Sequence, residues 1–552
     1  MASSTWMRKR GDASWLESRP CAGSDQPTAG RGQSSTALDS TAIVATSTEA
    51  DRAVTSGWLP RKRLCTAAQA QGSEPPLTAA QEAVLRLARR GRGLFVTGAA
   101  GSGKSRLLRE LGRRLPGEVV LTALTGVAAL LLGGRTLHSW AGIGRAGSST
   151  EAMVCYVLKD AAACRRWQSA TLLVIDEVSM VSAWLLDSLD AIGRAARRRA
   201  DRPFGGLQVL LCGDFHQLPP PAREAEGWAF EAKCWDEVVE VAVELTDVLR
   251  LDPSEAAFAD VLRQVRRGKL DDVAWSILGQ LAARPRDAAH ALTEVVPTNR
   301  QADEINDAAL SRVLHNVDGQ QDVTYTSMRF GSDRPPATAC GAGSSSRRDA
   351  SAPLAAHPRS AADSSAPAKV RLCTGAVVIL TTTVLVGFDR ERLPNGLRCK
   401  VVGFMKLPES LYNPRCPSFD GSAFSLNERQ FLLQHGGVLP RITSLESTAD
   451  DTTHTLYPSS FREAGCTAVQ LPARLGWAIT AHRAQGLSLD NAVVHLRGLF
   501  STGQAYVALS RCRRAADLWI AGGLPRRAAD GSVPAFAPDA RVAAFHASAG
   551  DA

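Results

Sequence analysis

One stretch constrains this chain more than any other: LFVTGAAGSGKSRLLREL, from Leu94 to Leu111. A short apolar run leads into Gly98, Ala99, Ala100, Gly101, Ser102, Gly103, Lys104 and Ser105, and a helix-like stretch follows. Strand, glycine-rich turn and helix in that order are what a phosphate-binding P-loop requires. Backbone N–H groups of the turn, with the positive end of the helix behind it, suit the phosphates of a nucleoside triphosphate. Lys104 is expected to reach the β- and γ-phosphates, and Ser105 to hold Mg²⁺. The chain therefore reads as one that hydrolyses a nucleotide, and what the hydrolysis drives has to be sought elsewhere.

At 552 residues the chain has room for about three or four domains. A net charge of +9 is compatible with a polyanionic partner without naming one. The 12 cysteines include no CxxC pair, which argues against a zinc ribbon and a compact disulfide scaffold. They read as small buried thiols in a reducing compartment. No apolar run reaches the ~18 residues of a membrane span, so no membrane partner is expected.

Residues 1–73 are rich in Ser, Thr, Ala and Gly without a periodic apolar face, and read as a disordered arm. Within it, PRKRL (Pro60 to Leu64) suits nuclear import, with a solvated charge cluster as the plain alternative. The opening MASSTWMRKRG lacks acidic residues, which makes a mitochondrial presequence the rival. Order is expected from a Thr78-capped helix carrying Leu77, Val84, Leu85 and Ala88 on one face. From there GLFVTG, EVVLTAL, TLLVIDE and LQVLLCGD alternate with helical stretches, as α/β layering demands. Residues 331–368 contain one Leu and no Val, Ile, Met or aromatic, and read as a disordered insertion. Strand-rich sequence resumes at GAVVILTTTVLVGF.

TLLVIDEVSM ends an apolar strand in Asp176-Glu177. A carboxylate at a strand end near a P-loop is where a second Mg²⁺ contact belongs. Its neighbour could orient and deprotonate an attacking water, which favours hydrolysis over transfer to another acceptor. VLLCGDFHQLPPP supplies another strand and Gln217, whose amide could sense the γ-phosphate. The run RAARRRADR (Arg194 to Arg202) reads as the solvated end of a helix rather than a phosphate track.

TGVAALLLGGRTLHSWAGIG, LLVIDEVSMV, GDFHQLPP, WAITAHRAQGLSL and GQAYVALSR resemble, in order and spacing, the motifs of the Pif-one DNA helicases. These form part of the RecD-like B branch of helicase superfamily one. The resemblance covers about residues 75–525 outside the insertion. It implies an α/β protein: two RecA-like P-loop domains, parallel sheets flanked by helices, with a small inserted SH3-like β-barrel. The implied boundaries are 74–243 for the first domain, with 244–330, 369–400 and 470–525 for the second. The barrel falls at 401–469 and a C-terminal tail at 526–552.

The resemblance further implies ATP between the domains and single-stranded DNA across their top. Gln81 matches an adenine-recognising Gln; Gly103, Lys104, Ser105, Asp176, Glu177 and Gln217 match phosphate and Mg²⁺ positions. Arg250 and Arg511 match arginines offered to the γ-phosphate, a role suited to a permanently charged donor fork. Leu251 departs from the Gln usual after the first arginine, which puts the efficiency of hydrolysis in question; His216 is a milder departure. Thr125, Gly126, Thr136, His138, Trp140, Thr480, His482 and Gln485 match DNA-contacting segments. Each of those residue types is equally at home as a buried or capping residue.

The function implied is an ATP-dependent DNA helicase moving 5′ to 3′, in repair, recombination or telomere maintenance. Its implied partners are single-stranded DNA and DNA junctions, and the free protein is expected to be a monomer in the nucleus, or alternatively the mitochondrion. A related RNA helicase and a nucleic-acid scaffold with a weakened ATPase are the rival readings.

Overall fold

The structure, a computed structural model, describes residues 76–550 apart from 144–148, 222–226, 248–254, 286–291, 316–320, 332–365, 387–390, 421, 446–451 and 464–465. It also describes the strands Thr5–Arg8 and Trp15–Glu17. Arg250, Leu251 and almost all of the expected insertion lie outside the described residues.

The first sheet forms around the strand Leu94–Gly98, which is buried along its whole length. Its parallel members run in the order Val241–Leu245, Leu94–Gly98, Gln208–Cys212, Ala170–Asp176, Glu118–Ala123 and Arg135–Thr136. Alternate side chains point to opposite faces of such a strand. Phe95, Leu173, Ile175 and Leu211 accordingly enter one core, and Leu94, Val96, Leu172, Val174 and Leu210 enter another. Both faces are covered, which is why these strands read as near-continuous apolar runs. The helix Ala79–Arg89 starts at Thr78 in a capping box with Gln81 and buries Val84, Leu85 and Ala88, as its periodicity predicts.

A second parallel sheet has the order Ala478–Thr480, Thr293–Val296, Ala492–His495 and Leu518–Ala521. Between its first two strands in chain order comes an antiparallel unit with its own apolar core, spanning residues 322–475. The unit therefore starts well before residue 401, and the sequence 369–400 belongs to it rather than to the parallel sheet. Its described strands pair as sheets of five, three, two and two. The SH3-like comparison rests on the family resemblance and not on this pairing.

Three further expectations are corrected. Residues 366–368 belong to the fold: Ala366 is buried, and the Pro367 carbonyl accepts from Gln470 Nε2 at 3.1 Å. Within the arm read as disordered, Thr5–Arg8 pairs antiparallel with Val241–Leu245 and with Trp15–Glu17 at the edge of the first sheet. At the other terminus, the tail contains a helix, Ala540–Gly550, that returns to the first domain. Phe545 stacks on Phe230, ring centroids 4.4 Å apart, and meets Phe95, Phe215 and Trp235 edge-on. Val542 joins Phe545 in the same core.

The Arg194–Arg202 run is exposed from Arg198 to Arg202, as expected, while Arg194 and Arg197 at its start are half-buried. Arg194 pairs with Asp190 and Glu237 at 2.7 Å each, and Arg197 donates to the carbonyls of Trp167, Ala170 and Gly205.

Candidate active site

Three neighbouring parallel strands end side by side, so the P-loop, Asp176-Glu177 and Asp214–Gln217 converge at the carboxyl edge of the first sheet. That edge is where open α/β sheets bind ligands. The P-loop itself is tightly drawn. Gly98 has φ +152°, and a Cβ there would lie 2.6 Å from the Leu245 carbonyl oxygen, so only glycine fits. The helix Lys104–Arg114 begins at Gly103 with no side-chain cap, which leaves its first N–H groups for an anion. Lys104 Nζ folds back to donate to the carbonyls of Gly98 at 2.7 Å and Ala99 at 2.9 Å. Ser105 is exposed at the start of the helix.

Gln81 is fully buried. Its Oε1 accepts from the Thr78 N–H at 3.0 Å, while Nε2 donates to the Gly103 carbonyl at 3.4 Å. The residue matched to adenine recognition thus also holds the P-loop.

Asp176 is buried beside Lys104. Burial, with the neighbouring Glu177 carboxylate, pushes its pKa up to about 7 against the pull of Lys104. Burying a carboxylate in this way calls for a cationic partner. Glu177 sits at φ 57°, ψ 45°, in the left-handed region that costs a non-glycine residue about 1–3 kcal/mol. The strain aims its carboxylate across the cleft, where Gln485 Nε2 donates to Oε2 at 3.0 Å and to Ser179 Oγ at 3.2 Å.

Gln217 is buried, and its Oε1 has no hydrogen-bond partner among the described residues. An orphaned acceptor of this kind fits an absent donor such as a water near the γ-phosphate. With Ser105 and Asp176, the site thus has the oxygen donors that Mg²⁺ takes alongside phosphate. No cluster of three His, Cys, Asp or Glu suited to a metal exists among the described residues.

Two residues at this site were invisible to sequence reasoning. Arg266, on the helix Ala256–Arg267 of the second domain, grips Asp214 through Nη2 at 2.9 Å and Nε at 3.0 Å. Burial opposes the charge on Asp214, but Arg266 and His216 outweigh it and hold the carboxyl well below its usual range. Tyr506 accepts the Ala100 N–H at 2.7 Å, tying the P-loop to the second domain. The sequence signal for Arg266 was weak, since two arginines closing an amphipathic helix read as solvated. Tyr506 lay inside the GQAYVALSR motif, where only Arg511 drew notice.

Arg511 is buried and donates to the carbonyls of Val507, Ala484 and Leu487, so it braces the turn that carries Gln485. The matched DNA-contacting residues divide. Trp140 is only 2% exposed, its ring 4.6 Å from Trp167, so it is core and offers no face to a base. Thr125 caps the helix Gly126–Leu131, and a Cβ on Gly126 would lie 2.6 Å from the Asn395 carbonyl oxygen. Thr136 precedes the helix Leu137–Ala141, and His138 is half-buried, its pKa lowered by that burial. Thr480 is buried and His482 half-buried, both at the carboxyl end of the strand Ala478–Thr480. Gln485 instead makes its contacts with Glu177 and Ser179.

Two parallel sheets, a P-loop, a strand-end Asp-Glu pair and contacts from the second sheet onto the first define a P-loop fold with two RecA-like domains. Residues 76–275 match the PIF1-like helicase family, and the chain resembles Pif1 helicases over most of its length. It is 35% identical to the ATP-dependent DNA helicase PIF1 of Homo sapiens, over 85% of this chain and 63% of the human protein. With the protein of the same description from Emericella nidulans it shares 31% identity, over 82% of this chain and 61% of the relative. The chain thus spans less than two thirds of the length of these curated relatives. The crystal structure of Pif1 helicase from Candida albicans superposes with a TM-score of 0.66 at 28% identity, covering 86% of this chain and 99% of that one. A Bacteroides Pif1 structure in complex with ADP-AlF3 and ssDNA shares the fold, with a TM-score of 0.61 at 23% identity, over 87% and 98%.

Proposed function

We propose that this chain is an ATP-dependent DNA helicase that moves 5′ to 3′ on single-stranded DNA and unwinds duplexes. The observation that carries the reading is the hydrogen bond from Gln485 to Glu177. It joins the motif matched to DNA contact in one domain to the hydrolytic carboxylate of the other. The human and Candida relatives, whose names are those of Pif1 helicases, support the same reading.

Lys104 would exchange the carbonyls of Gly98 and Ala99 for phosphate oxygens, and the uncapped helix behind it would take the rest of that charge. Ser105 and Asp176 would hold Mg²⁺, which supplies charge neutralisation between the β- and γ-phosphates. Glu177 would take the proton of the attacking water, and Gln217 would orient that water. Arg250 and Arg511 are the candidates for the charge developing on the γ-phosphate. Arg511 has to exchange at least one backbone carbonyl for phosphate in order to act so.

DNA junctions are the proposed substrates; repair, recombination or telomere maintenance is the proposed setting. The nucleus is the proposed compartment, with the mitochondrion as the alternative. No helix among the described residues is long and apolar enough to cross a membrane. The test is ATP turnover with and without single-stranded DNA, followed by unwinding of duplexes bearing a 5′ or a 3′ tail. Turnover that DNA leaves unchanged, or unwinding only from a 3′ tail, contradicts the proposal. Stimulation by RNA alone would favour the RNA-helicase reading.

A further inference from the structure

Phe500 is 68% exposed, more than any other phenylalanine on the described surface. Its ring lies nearly parallel to that of His482, at 24° with centroids 6.5 Å apart. Burial lowers the pKa of His482, so near neutral pH the pair is a neutral, flat, two-ring surface. His482 follows the carboxyl end of the strand Ala478–Thr480, and Phe500 follows that of Ala492–His495. Both therefore stand on the ligand-binding edge of the second sheet.

The loop that carries Phe500 is fixed at both sides. The Phe500 and Ser501 N–H groups donate to Oε1 of fully buried Gln504 at 3.0 and 3.3 Å. Gly503, at φ +76°, lies so close to the first domain that a Cβ would sit 2.3 Å from the Gln217 carbonyl oxygen. An exposed aromatic on a loop held this firmly loses little entropy when a flat ligand settles on it.

We propose that Phe500, flanked by His482, is a base-stacking residue for single-stranded nucleic acid, and that it binds the base face rather than the phosphate. This rests on single-stranded DNA being the substrate. Every base has a π-face, so such a contact tolerates any sequence and adds ~1–3 kcal/mol per base. The contact between its loop and Gln217 places an occupied ring one short turn from the residue expected at the γ-phosphate.

The test compares binding of an oligothymidylate with that of an abasic strand of equal length, at one fixed salt concentration. The parent should prefer the base-bearing strand by about ten-fold or more. Phe500→Ala should bind both strands alike, near the affinity of the parent for the abasic strand, and Phe500→Trp should keep the preference. The inference is overturned if Phe500→Ala keeps the full preference or loses affinity equally for both strands. A parent that binds the two strands equally well also overturns it while leaving the helicase reading intact. A parent that binds neither refutes both.

Discussion

Gln485 Nε2 donates to Glu177 Oε2 at 3.0 Å, across the boundary between the two parallel-sheet domains. The same amide nitrogen bonds Ser179, and Gln485 is itself buried. Arg511 braces the turn from behind through the carbonyls of Ala484 and Leu487. If nucleic acid binds at Thr480 and His482, as their match to DNA-contacting segments implies, a shift of the turn would move the amide off the carboxylate or onto it. A hydrogen bond to a charged group contributes about 1.5–3 kcal/mol, enough to control the reactivity of Glu177. Gln485→Ala should therefore lower DNA-stimulated ATP turnover about ten-fold or more, with DNA affinity changed much less. Steady-state phosphate release and strand binding on the same variant check this, and equal losses in both would place Gln485 at the DNA instead.

Lys104→Ala should abolish turnover, because the phosphates lose their cationic partner. Glu177→Gln should behave differently, since an amide still accepts and donates hydrogen bonds but is a poor base. It should bind ATP close to the parent level and hydrolyse it about a hundred-fold or more slowly. A fluorescent nucleotide titration beside a phosphate-release assay separates the two effects. Parent-like turnover by Glu177→Gln would move the base to another residue.

The fold brings together the residues matched to nucleotide binding because each lies in a short local motif. Gly98 through Ser105, Asp176-Glu177 and Gln217 each lie at a strand end within one short motif, and parallel pairing brings strand ends together. What stayed hidden depends on contacts between residues far apart in the chain. Nothing near Arg266 shows that Asp214, 52 positions away, is its partner. Trp140 looked available because TLHSW carries polar neighbours, yet the Trp167 ring that covers it comes from another helix. The antiparallel unit was placed too late because Asp322–Thr326 and Lys369–Cys373 pair across the segment read as an insertion.

That pairing leads to a prediction for the insertion itself. The Ser327 N–H donates to the Ala368 carbonyl at 2.9 Å, so the chain leaves and re-enters the fold at adjacent points. Loop-closure cost grows only logarithmically with length. Replacing residues 332–365 with a short Gly/Ser linker should leave DNA-stimulated turnover and unwinding near the parent rates. Loss of turnover in a variant with an unchanged melting temperature would assign the segment to the motor.

Asp214 and Arg266 form a buried ion pair in the cleft, with side-chain exposures of 0% and 13%. Removing one member strands the other charge away from water, at a cost of about 3–5 kcal/mol. Asp214→Ala should lower the melting temperature sharply, and the double variant Asp214→Asn, Arg266→Met should recover much of the loss. If the single and double variants melt alike, the pair is not the source of the stability.

His546 makes the docking of the C-terminal helix sensitive to acid. Its ring lies 4.5 Å from that of His216, and its Nε2 is buried without a hydrogen-bond partner among the described residues. Burial, then the nearby His216 and Arg266, lower its pKa to about 3, and Asp214 opposes them only in part. The folded value lies below the free value near 6.5, so below pH 6.5 the released helix takes up a proton that the docked one refuses. The stability is therefore complete above pH 6.5 and is lost progressively as the pH falls toward 3. Between pH 6.5 and 5 the loss is about 2 kcal/mol, at about 1.4 kcal/mol per pH unit. Protection of the 540–550 amides from hydrogen exchange should fall over that window, relative to amides of the first sheet. His546→Leu should flatten the dependence, because no proton remains to be bound. An equally steep fall in His546→Leu would place the acid-sensitive group elsewhere in the cluster.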